Sequence, residues 1–266
     1  MKFNFKRKYL GIPYVIFLVL FVLIPIVLII YYAFSDANGV PSFEAMIKFF
    51  STPTKLNVIL MSFFISIQTT ILCLLIGYPV AYFLASKKYN KNAVLILLFI
   101  MPMWINFVLR TGATRDLLTF FQINGGNAPY LATLIGMVYN YLPFAILPLY
   151  TTMLKLDNSQ MEAASDLGAS PIQVFIHNII PQSMPGIISA ITMTLVPVMS
   201  SYVISDTLSE GKITLIGNSI YLSFANNLWN NGSFMAFILL IMVFITMLLD
   251  RGDKSNTVSA KGGNLW

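Results

Sequence analysis

The sequence predicts an all-α membrane protein with six transmembrane helices and both termini in the cytosol. Hydrophobic residues make up 57% of the 266 residues and charged residues only 10%, whereas soluble domains carry about 25% charged residues. Mean hydropathy is +0.77. Six apolar stretches set the number of helices, and the uneven distribution of Lys and Arg sets their direction.

The apolar stretches define the predicted spans. A bilayer crossing needs about 20 apolar residues, and most of the six approach or exceed that length, while the third and sixth depend on flanking residues. The first is too long for a signal-peptide core of about 7 to 15 residues, so we expect it to remain as an anchor. The predicted spans are Leu10–Phe34, Leu56–Leu84, Ala93–Leu109, Leu131–Leu154, Pro185–Ser205 and Phe234–Leu249.

We expect these spans to form one membrane domain over residues 10–249. A short cytosolic N-terminus, residues 1–9, precedes it, and a polar, flexible cytosolic tail, residues 250–266, follows it. With the N-terminus inside, eleven Lys and Arg residues fall in cytosolic segments and five in external ones, as the positive-inside rule requires. The net charge of +6 is therefore a topology signal rather than evidence of nucleic-acid binding.

A polar interval lies in the cytosolic loop between the fourth and fifth spans. Its sequence from 162 to 181 is EAASDLGASPIQVFIHNIIP. Two S-x-x-E/Q patterns, at Ser159 and at Ser170, are capping-box signatures and predict two short helices. Gly168 is placed to end the first helix in a left-handed conformation, Pro171 suits the first position of the second, and we expect Pro181 to end that second helix.

This interval is typical of a docking surface rather than an active site. Ala163 and Ala164 give the first helix a low, close-packing face beside Glu162, and Leu167 and Phe175 supply apolar contacts. The alternative is a solvated loop with ordinary helix caps, because capping boxes are common.

The sequence lacks the motifs of an enzyme or an ATPase. Its only Gly-Lys pair, Gly211 and Lys212, precedes Ile213 and has no glycine five residues upstream, so it is not a phosphate-binding P-loop. His177 is the sole histidine, without a metal-binding or nucleophile motif around it. We therefore expect no catalytic residue, no metal site and no cofactor in this chain.

The predicted spans are almost free of ionisable residues. Asp, Glu, Lys, Arg and His are absent from them except at the boundaries marked by Arg110 and Asp206. Proton-coupled carriers generally need an ionisable relay within the membrane; a Na⁺-coupled carrier can use hydroxyls and carbonyls, so that class is weakened but stays open. Prolines and small polar residues in spans two to five favour a water-filled path, with interhelical hydrogen bonding in a static bundle as the alternative.

The polar interval resembles the EAA loop of permease subunits of ATP-binding-cassette importers. The resemblance rests on Glu162, Ala163, Ala164, Gly168, Phe175 and Pro181, in the pattern EAA, three residues, Gly, then an apolar stretch ending in Pro. It extends over nearly the whole chain, and segments such as YLPFAILPLY from 141 to 150 and LIGNSI from 215 to 220 are similar to the spermidine/putrescine permeases of that family.

The resemblance implies a type I (MetI-like) importer permease in a bacterial cytoplasmic membrane. Residues 155–184 would then form the coupling loop, in which Asp166 and Leu167 join the motif residues in contacting a cytosolic ATPase. The implied partners are a second permease, two copies of an ATPase that bind ATP, and an extracytoplasmic substrate-binding protein.

A polyamine cargo needs carboxylates or aromatic faces, because both attract ammonium groups. The sequence offers such groups near the expected path: Trp104, Tyr139, Tyr141, Tyr202 and Asp206. For Trp104 and Tyr202 the alternative is interfacial anchoring. Five acidic residues balance five basic ones in the external loops, which disfavours anionic cargo.

Three other functions stay open at this point. The same permease class could carry another small cation or an iron chelate. An ion-gradient-coupled carrier would work without an ATPase, and a structural membrane scaffold would transport nothing.

Overall fold

In the computed structural model, residues 11–36, 38–86 and 94–258 are described, with side chains to residue 248. Within those ranges every regular element is a helix apart from one isolated β-bridge between Ser35 and Pro41. The helices are α1 (Gly11–Ala33), α2 (Glu44–Ser51), α3 (Pro53–Ala85), α4 (Val94–Trp104), α5 (Phe107–Phe120), α6 (Pro129–Met153), α7 (Asn158–Asp166), α8 (Pro171–Ser200), α9 (Tyr202–Ser209), α10 (Ile216–Ala225) and α11 (Trp229–Val258). The predicted N-terminal segment 1–9 lies outside the described residues.

Five of these helices are long and apolar enough to cross a membrane: α1, α3, α6, α8 and α11. A sixth span results if α4 and α5 are counted as one bent segment. The all-helical fold class is thus confirmed, and the predicted number of six spans is reached when the bent segment is counted as one.

The third predicted span, Ala93–Leu109, is wrong as a continuous helix. The chain breaks after Trp104 and bends by 97° between α4 and α5. Ile105 is extended at the break, and Asn106 caps the new helix because its Oδ1 accepts hydrogen bonds from the backbone N–H groups of Val108 (2.9 Å) and Leu109 (3.4 Å).

The expectation that Pro181 ends a short helix is also wrong. Helix α8 runs through it, and a π-helical turn at Phe175–Ile179 precedes the proline. In that wider turn the N–H of Ile180 bonds to the carbonyl of Phe175, five residues back. The helix also continues through Pro185 and Pro197. The helix that contains the fifth span therefore starts at Pro171, not Pro185, and ends at Ser200.

Helix α1 contains the same arrangement. A π-helical turn at Val19–Leu23 precedes Pro25, and the N–H of Ile24 bonds to the carbonyl of Val19. Both helices thus accommodate a proline two residues after a π turn and continue.

The chain divides into two compact units. The first comprises Met1–Asn57 and Ser219–Ile241. In its described part, Phe34, Phe49 and Phe234 form an aromatic core, with the Phe234 ring 6.1 Å from Phe34 and 5.4 Å from Phe49. The Asn230 side-chain amide donates to the carbonyl of Ser35 at 2.7 Å and thereby fixes the turn after α1.

The second unit comprises Val58–Asn218 and Met242–Trp266 and holds the candidate sites. Helix α6 packs most extensively against α8 and also contacts α9. Gly136 permits the approach of α9, because a Cβ at this position would collide with the side chain of Leu208. The core of this unit is formed by fully buried side chains, among them Ile65, Met137, Ile146, Leu149, Val198 and Ile204.

Candidate functional site

The polar interval after α6 forms a compact knuckle, which we define as residues 157–182. Its first arm is α7, and Asp157 caps that helix. The predicted capping box of Ser159 and Glu162 is therefore wrong, since the helix begins before Ser159. The Asp157 carboxylate accepts hydrogen bonds from the hydroxyl (2.7 Å) and the backbone N–H (3.0 Å) of Ser159. These bonds lower the pKa of Asp157, because they stabilise its charged form.

The turn at the tip of the knuckle follows the predicted glycine stop. Gly168 has a φ of +85°, and its N–H bonds to the carbonyl of Ser165 at 2.9 Å. The N–H of Ala169 bonds to the carbonyl of Ala164 at 3.1 Å. These two bonds are the Schellman pattern, which satisfies the last carbonyls of α7. Leu167 at this turn is 90% exposed.

The second arm is the start of α8. The predicted capping box at Ser170 is confirmed: the Ser170 N–H donates to Gln173 Oε1 at 2.8 Å, and the Gln173 N–H donates to Ser170 Oγ at 3.4 Å. Pro171 occupies the first turn as predicted. The next residue, Ile172, is 71% exposed, so both arms present an apolar side chain near the tip.

Four polar residues, which we call the amide clamp, join the two arms: Asp157, Gln160, Asn178 and Gln182. Gln182 Nε2 donates to Gln160 Oε1 at 3.2 Å and also to Asn178 Oδ1. Gln182 Oε1 accepts from the Asp157 N–H at 3.2 Å, and Asn178 Nδ2 donates to the Gln160 carbonyl at 3.3 Å. The clamp links α7 to the first turns of α8 through side chains that lie 18 to 25 residues apart in sequence.

Aromatic packing joins the knuckle to α3. The Phe175 ring lies edge-on to Tyr78, with ring centres 5.8 Å apart, and to Tyr82 at 6.3 Å. The Tyr78 hydroxyl lies 2.7 Å from the Ser183 hydroxyl. Phe175 is therefore half-buried within the chain and acts as an anchor of the knuckle rather than as part of its outer surface.

The remaining predicted docking residues lie on the outside of the knuckle. Glu162, Ala163, Asp166, Leu167, Gly168 and Pro181 are exposed, and Ala164 is half-buried. Beside them is an open cavity of about 570 Å³ lined in part by Leu167, Gln173 and His177. The His177 imidazole is exposed, with Nδ1 3.1 Å from the Gln173 carbonyl, a contact along one helix that gives this residue no site of its own.

The predicted path residues are spread over the second unit. Trp104 is 83% exposed and Tyr139 is 44% exposed. Tyr141 is buried, and its hydroxyl donates to the Pro197 carbonyl at 3.3 Å. Tyr202 and Asp206 are exposed on α9. In the described ranges no hydrogen bond or ring contact joins Trp104 or Asp206 to Tyr139 or Tyr141, so the five do not form one cluster.

Arg110 is a buried residue of this region that sequence reasoning missed. The sequence predicts a position at the boundary of the third span, yet Arg110 lies in α5 with 7% exposure. Its Nε donates to Asn140 Oδ1 at 2.7 Å and its Nη1 donates to the Pro102 carbonyl at 2.8 Å. Its guanidinium carbon lies 5.9 Å from the centre of the Tyr139 ring. The Asn at 106, a helix-cap residue inside an apolar stretch, was the available signal that the chain turns before Arg110.

Comparison with known proteins identifies the family. No protein-family model matches the chain. The spermidine/putrescine transport system permease protein PotB of Escherichia coli K12 is 35% identical over 253 residues, which cover 87% of this chain and 92% of that protein. PotB of Haemophilus influenzae is 33% identical over 258 residues, covering 89% and 90%.

Solved structures support the same fold. A chain of a bacterial alginate ABC transporter, solved with an alginate-bound periplasmic protein, superposes with a TM-score of 0.73 over 96% of both chains at 13% identity. A second alginate importer structure gives a TM-score of 0.64 over 92% of this chain and 95% of that one at 16% identity. The predicted importer-permease architecture is thus confirmed, and on the sequence matches the chain belongs to the PotB family of spermidine/putrescine transport system permease proteins.

Proposed function

We propose that this chain is a membrane permease subunit of an ATP-driven importer of the polyamines spermidine and putrescine. The observation that carries the proposal is the 35% identity to a spermidine/putrescine permease along 87% of the chain. The balanced charge of the predicted external loops agrees with a cationic cargo, since it provides no net positive field for anions.

The proposed complex contains a second, PotC-like permease, two PotA-like ATPase subunits and a PotD-like binding protein outside the membrane. ATP binds to the ATPase subunits, and this chain contributes no catalytic site. The complex lies in the bacterial inner membrane, with both termini of this chain and its knuckle in the cytosol.

The knuckle is the proposed contact with one ATPase subunit. Its outer face combines exposed apolar side chains, Leu167 at 90% and Ile172 at 71%, with the carboxylates of Glu162 and Asp166. Apolar groups at the centre of a contact and charged groups at its rim are the usual composition of a protein interface. The Schellman turn at Gly168 and the Ser170 capping box hold this face in one conformation, so little order has to be gained on binding.

Movement at the knuckle would reach the membrane through α8. That helix has 30 residues and is about 45 Å long at 1.5 Å per residue. The amide clamp joins α7 to it, and the Phe175 packing joins it to α3. Closure of the ATPase subunits on ATP would therefore displace α7, α8 and α3 together and switch the path between inward and outward access.

Trp104, Tyr139, Tyr141, Tyr202 and Asp206 are the proposed contacts of the cargo along the path. An ammonium group over an aromatic ring gains about 0.5 to 2 kcal/mol. Trp104 and Tyr139 have exposed rings, and Asp206 offers an exposed carboxylate.

Uptake by the reconstituted four-component importer tests the proposal. We expect ATP-dependent accumulation of labelled spermidine, competition by unlabelled putrescine, and no competition by sugars or by iron chelates. Collapse of the ion gradients at constant ATP should leave uptake unchanged. Uptake that follows a Na⁺ gradient without ATP would contradict the proposal and favour a secondary carrier.

A further inference from the structure

Arg110 carries a positive charge at a break in a membrane segment. Before the break, α4 consists of seven residues of α-helix and four of 3₁₀-helix. Their combined length is roughly 18 Å, a little over half of the ~30 Å hydrocarbon core. The bend of 97° then turns α5 aside, so Arg110, in the first turn of α5, lies well inside the apolar layer if α4 crosses it upright. Ionisable residues at such depth are rare and mark functional positions.

The guanidinium is held in place by neutral acceptors. Asn140 Oδ1 and the Pro102 carbonyl accept hydrogen bonds from the guanidinium, and the Asn140 amide is oriented in turn by its bond to the Gly136 carbonyl at 2.8 Å. Among the described residues no carboxylate forms an ion pair with Arg110; the two ion pairs found there join Lys48 to Glu44 and Arg115 to Asp116. Within the described ranges, the positive charge of Arg110 therefore has no paired carboxylate to cancel its field.

That field reaches a half-exposed aromatic ring. The Arg110 guanidinium carbon lies 5.9 Å from the centre of the Tyr139 ring, within cation–π range, and Tyr139 is 44% exposed. A cation that approaches Tyr139 from the open side meets the repulsion of Arg110, which grows in proportion to the charge of that cation. Fixed Arg charges act as barriers to cations in other membrane pathways.

We propose that Arg110 is a specificity-determining residue, whose fixed positive charge beside Tyr139 discriminates between polyamines by their number of ammonium groups. This inference rests on the proposed polyamine transport. The hydrogen bonds of Arg110 to Pro102 and Asn140 also position the break between α4 and α5, so removal of the Arg110 side chain has both a structural and an electrostatic consequence. The two consequences differ in their dependence on the charge of the cargo.

The test compares initial uptake rates of spermidine, with three ammonium groups, and putrescine, with two, in the reconstituted four-component importer. The preference of the binding protein is common to all variants, so a change in the ratio of the two rates reports the permease. We expect Arg110→Gln to raise the spermidine-to-putrescine ratio by at least about threefold, and Arg110→Lys, which keeps the charge, to leave the ratio at the wild-type value. An equal loss of both rates in both variants, with an unchanged ratio, would show that Arg110 only holds the break and would overturn the proposal.

A second pair of variants leaves the Arg110 side chain in place. Tyr139→Glu places a carboxylate beside the guanidinium, whereas Tyr139→Gln has the same shape without the charge. The new carboxylate also attracts the cation of higher charge by itself, so a higher spermidine-to-putrescine ratio in Tyr139→Glu agrees with the proposal, and equal ratios in the two variants would overturn it. Failure of the wild-type importer to take up either polyamine would instead contradict the proposed function itself.

Discussion

Replacing Gln182 with leucine tests whether the amide clamp transmits force from the knuckle to the membrane. Gln182 forms three hydrogen bonds, to the Asp157 N–H, to Gln160 and to Asn178. Each contributes a net of about 0.5 to 1.5 kcal/mol, with the lower values at exposed sites. The bond to Asn178 lies within α8, so loss of the two that reach the other arm, from Asp157 and to Gln160, weakens the joint between α7 and α8 by roughly 1 to 3 kcal/mol. A change of about 1.4 kcal/mol already shifts an equilibrium tenfold.

The assay measures ATP hydrolysed per spermidine taken up in the reconstituted importer. We expect Gln182→Leu to bind the ATPase and to raise this quotient severalfold, because α7 then moves without α8 in part of the population. His177→Gln is the matched control: it lies on the same knuckle, is exposed, and its described side-chain hydrogen bond goes to the Gln173 carbonyl rather than to the clamp. We expect its quotient to equal that of the wild type.

A double-mutant cycle identifies the clamp as the cause. If Gln160 and Gln182 act through the same joint, the combined Gln160→Leu and Gln182→Leu variant is less impaired than the sum of the single effects. A Gln182→Leu importer with the wild-type quotient, or one in which the two effects simply add, would refute the reasoning.

Three further changes have defined outcomes. Gly168→Val forces a β-branched residue into a φ of +85° at a cost of at least about 1 to 2 kcal/mol, so ATPase binding and uptake should fall together in pull-down and transport assays, and unchanged uptake would contradict a role for the tip. Asp157→Asn should abolish the acid sensitivity of the knuckle. Because the pKa of Asp157 is lowered in the folded state, its helix cap stabilises the folded knuckle above the unfolded pKa of ~3.9, and this stabilisation is lost as the pH falls through the folded pKa. Wild type and variant should therefore differ in proteolysis of the loop at neutral pH and become equal in acid. Gly136→Leu should destabilise the packing of α9 on α6 by about 1 to 3 kcal/mol or more, because even a Cβ collides with Leu208, and the melting temperature of the purified permease pair measures this loss.

The features that could be predicted from the sequence are the apolar helices, which depend on composition, and the helix caps and turns, which depend on neighbouring residues. Long apolar stretches predicted α1, α3 and α6 to within a few residues, because hydropathy alone decides whether a segment partitions into a bilayer. Gly168 and Ser170 were assigned correctly, since a left-handed turn and a capping box are decided by residues next to each other in the chain.

The errors fall where the chain offers two local solutions or where distant residues meet. Asp157 and Ser159 can both cap a helix, and the hydrogen bonds from Ser159 to the Asp157 carboxylate favour the earlier start. A hydropathy window averages the apolarity of successive residues and contains no information on the direction of the chain, so it cannot reveal the bend at Asn106. The amide clamp and the Arg110 contacts join residues between 8 and 30 positions apart, so no local pattern contains them.

The continuity of α8 through Pro181 bears directly on how the proposed lever works. If the proline ended a separate coupling helix, the knuckle would meet the fifth span at a flexible joint, and a displacement of the tip would be partly lost there. The π turn at Phe175–Ile179 instead carries backbone hydrogen bonding up to the proline, and α8 continues to Ser200. The clamp residues Asn178 and Gln182 lie on either side of Pro181, and both form hydrogen bonds with Gln160 of α7. Helix α7 therefore holds α8 on both sides of Pro181, the residue that lacks a backbone N–H. The clamp and the π turn therefore act on the same weak point, which is why we expect loss of Gln182 to affect coupling more than the number of its hydrogen bonds alone would suggest.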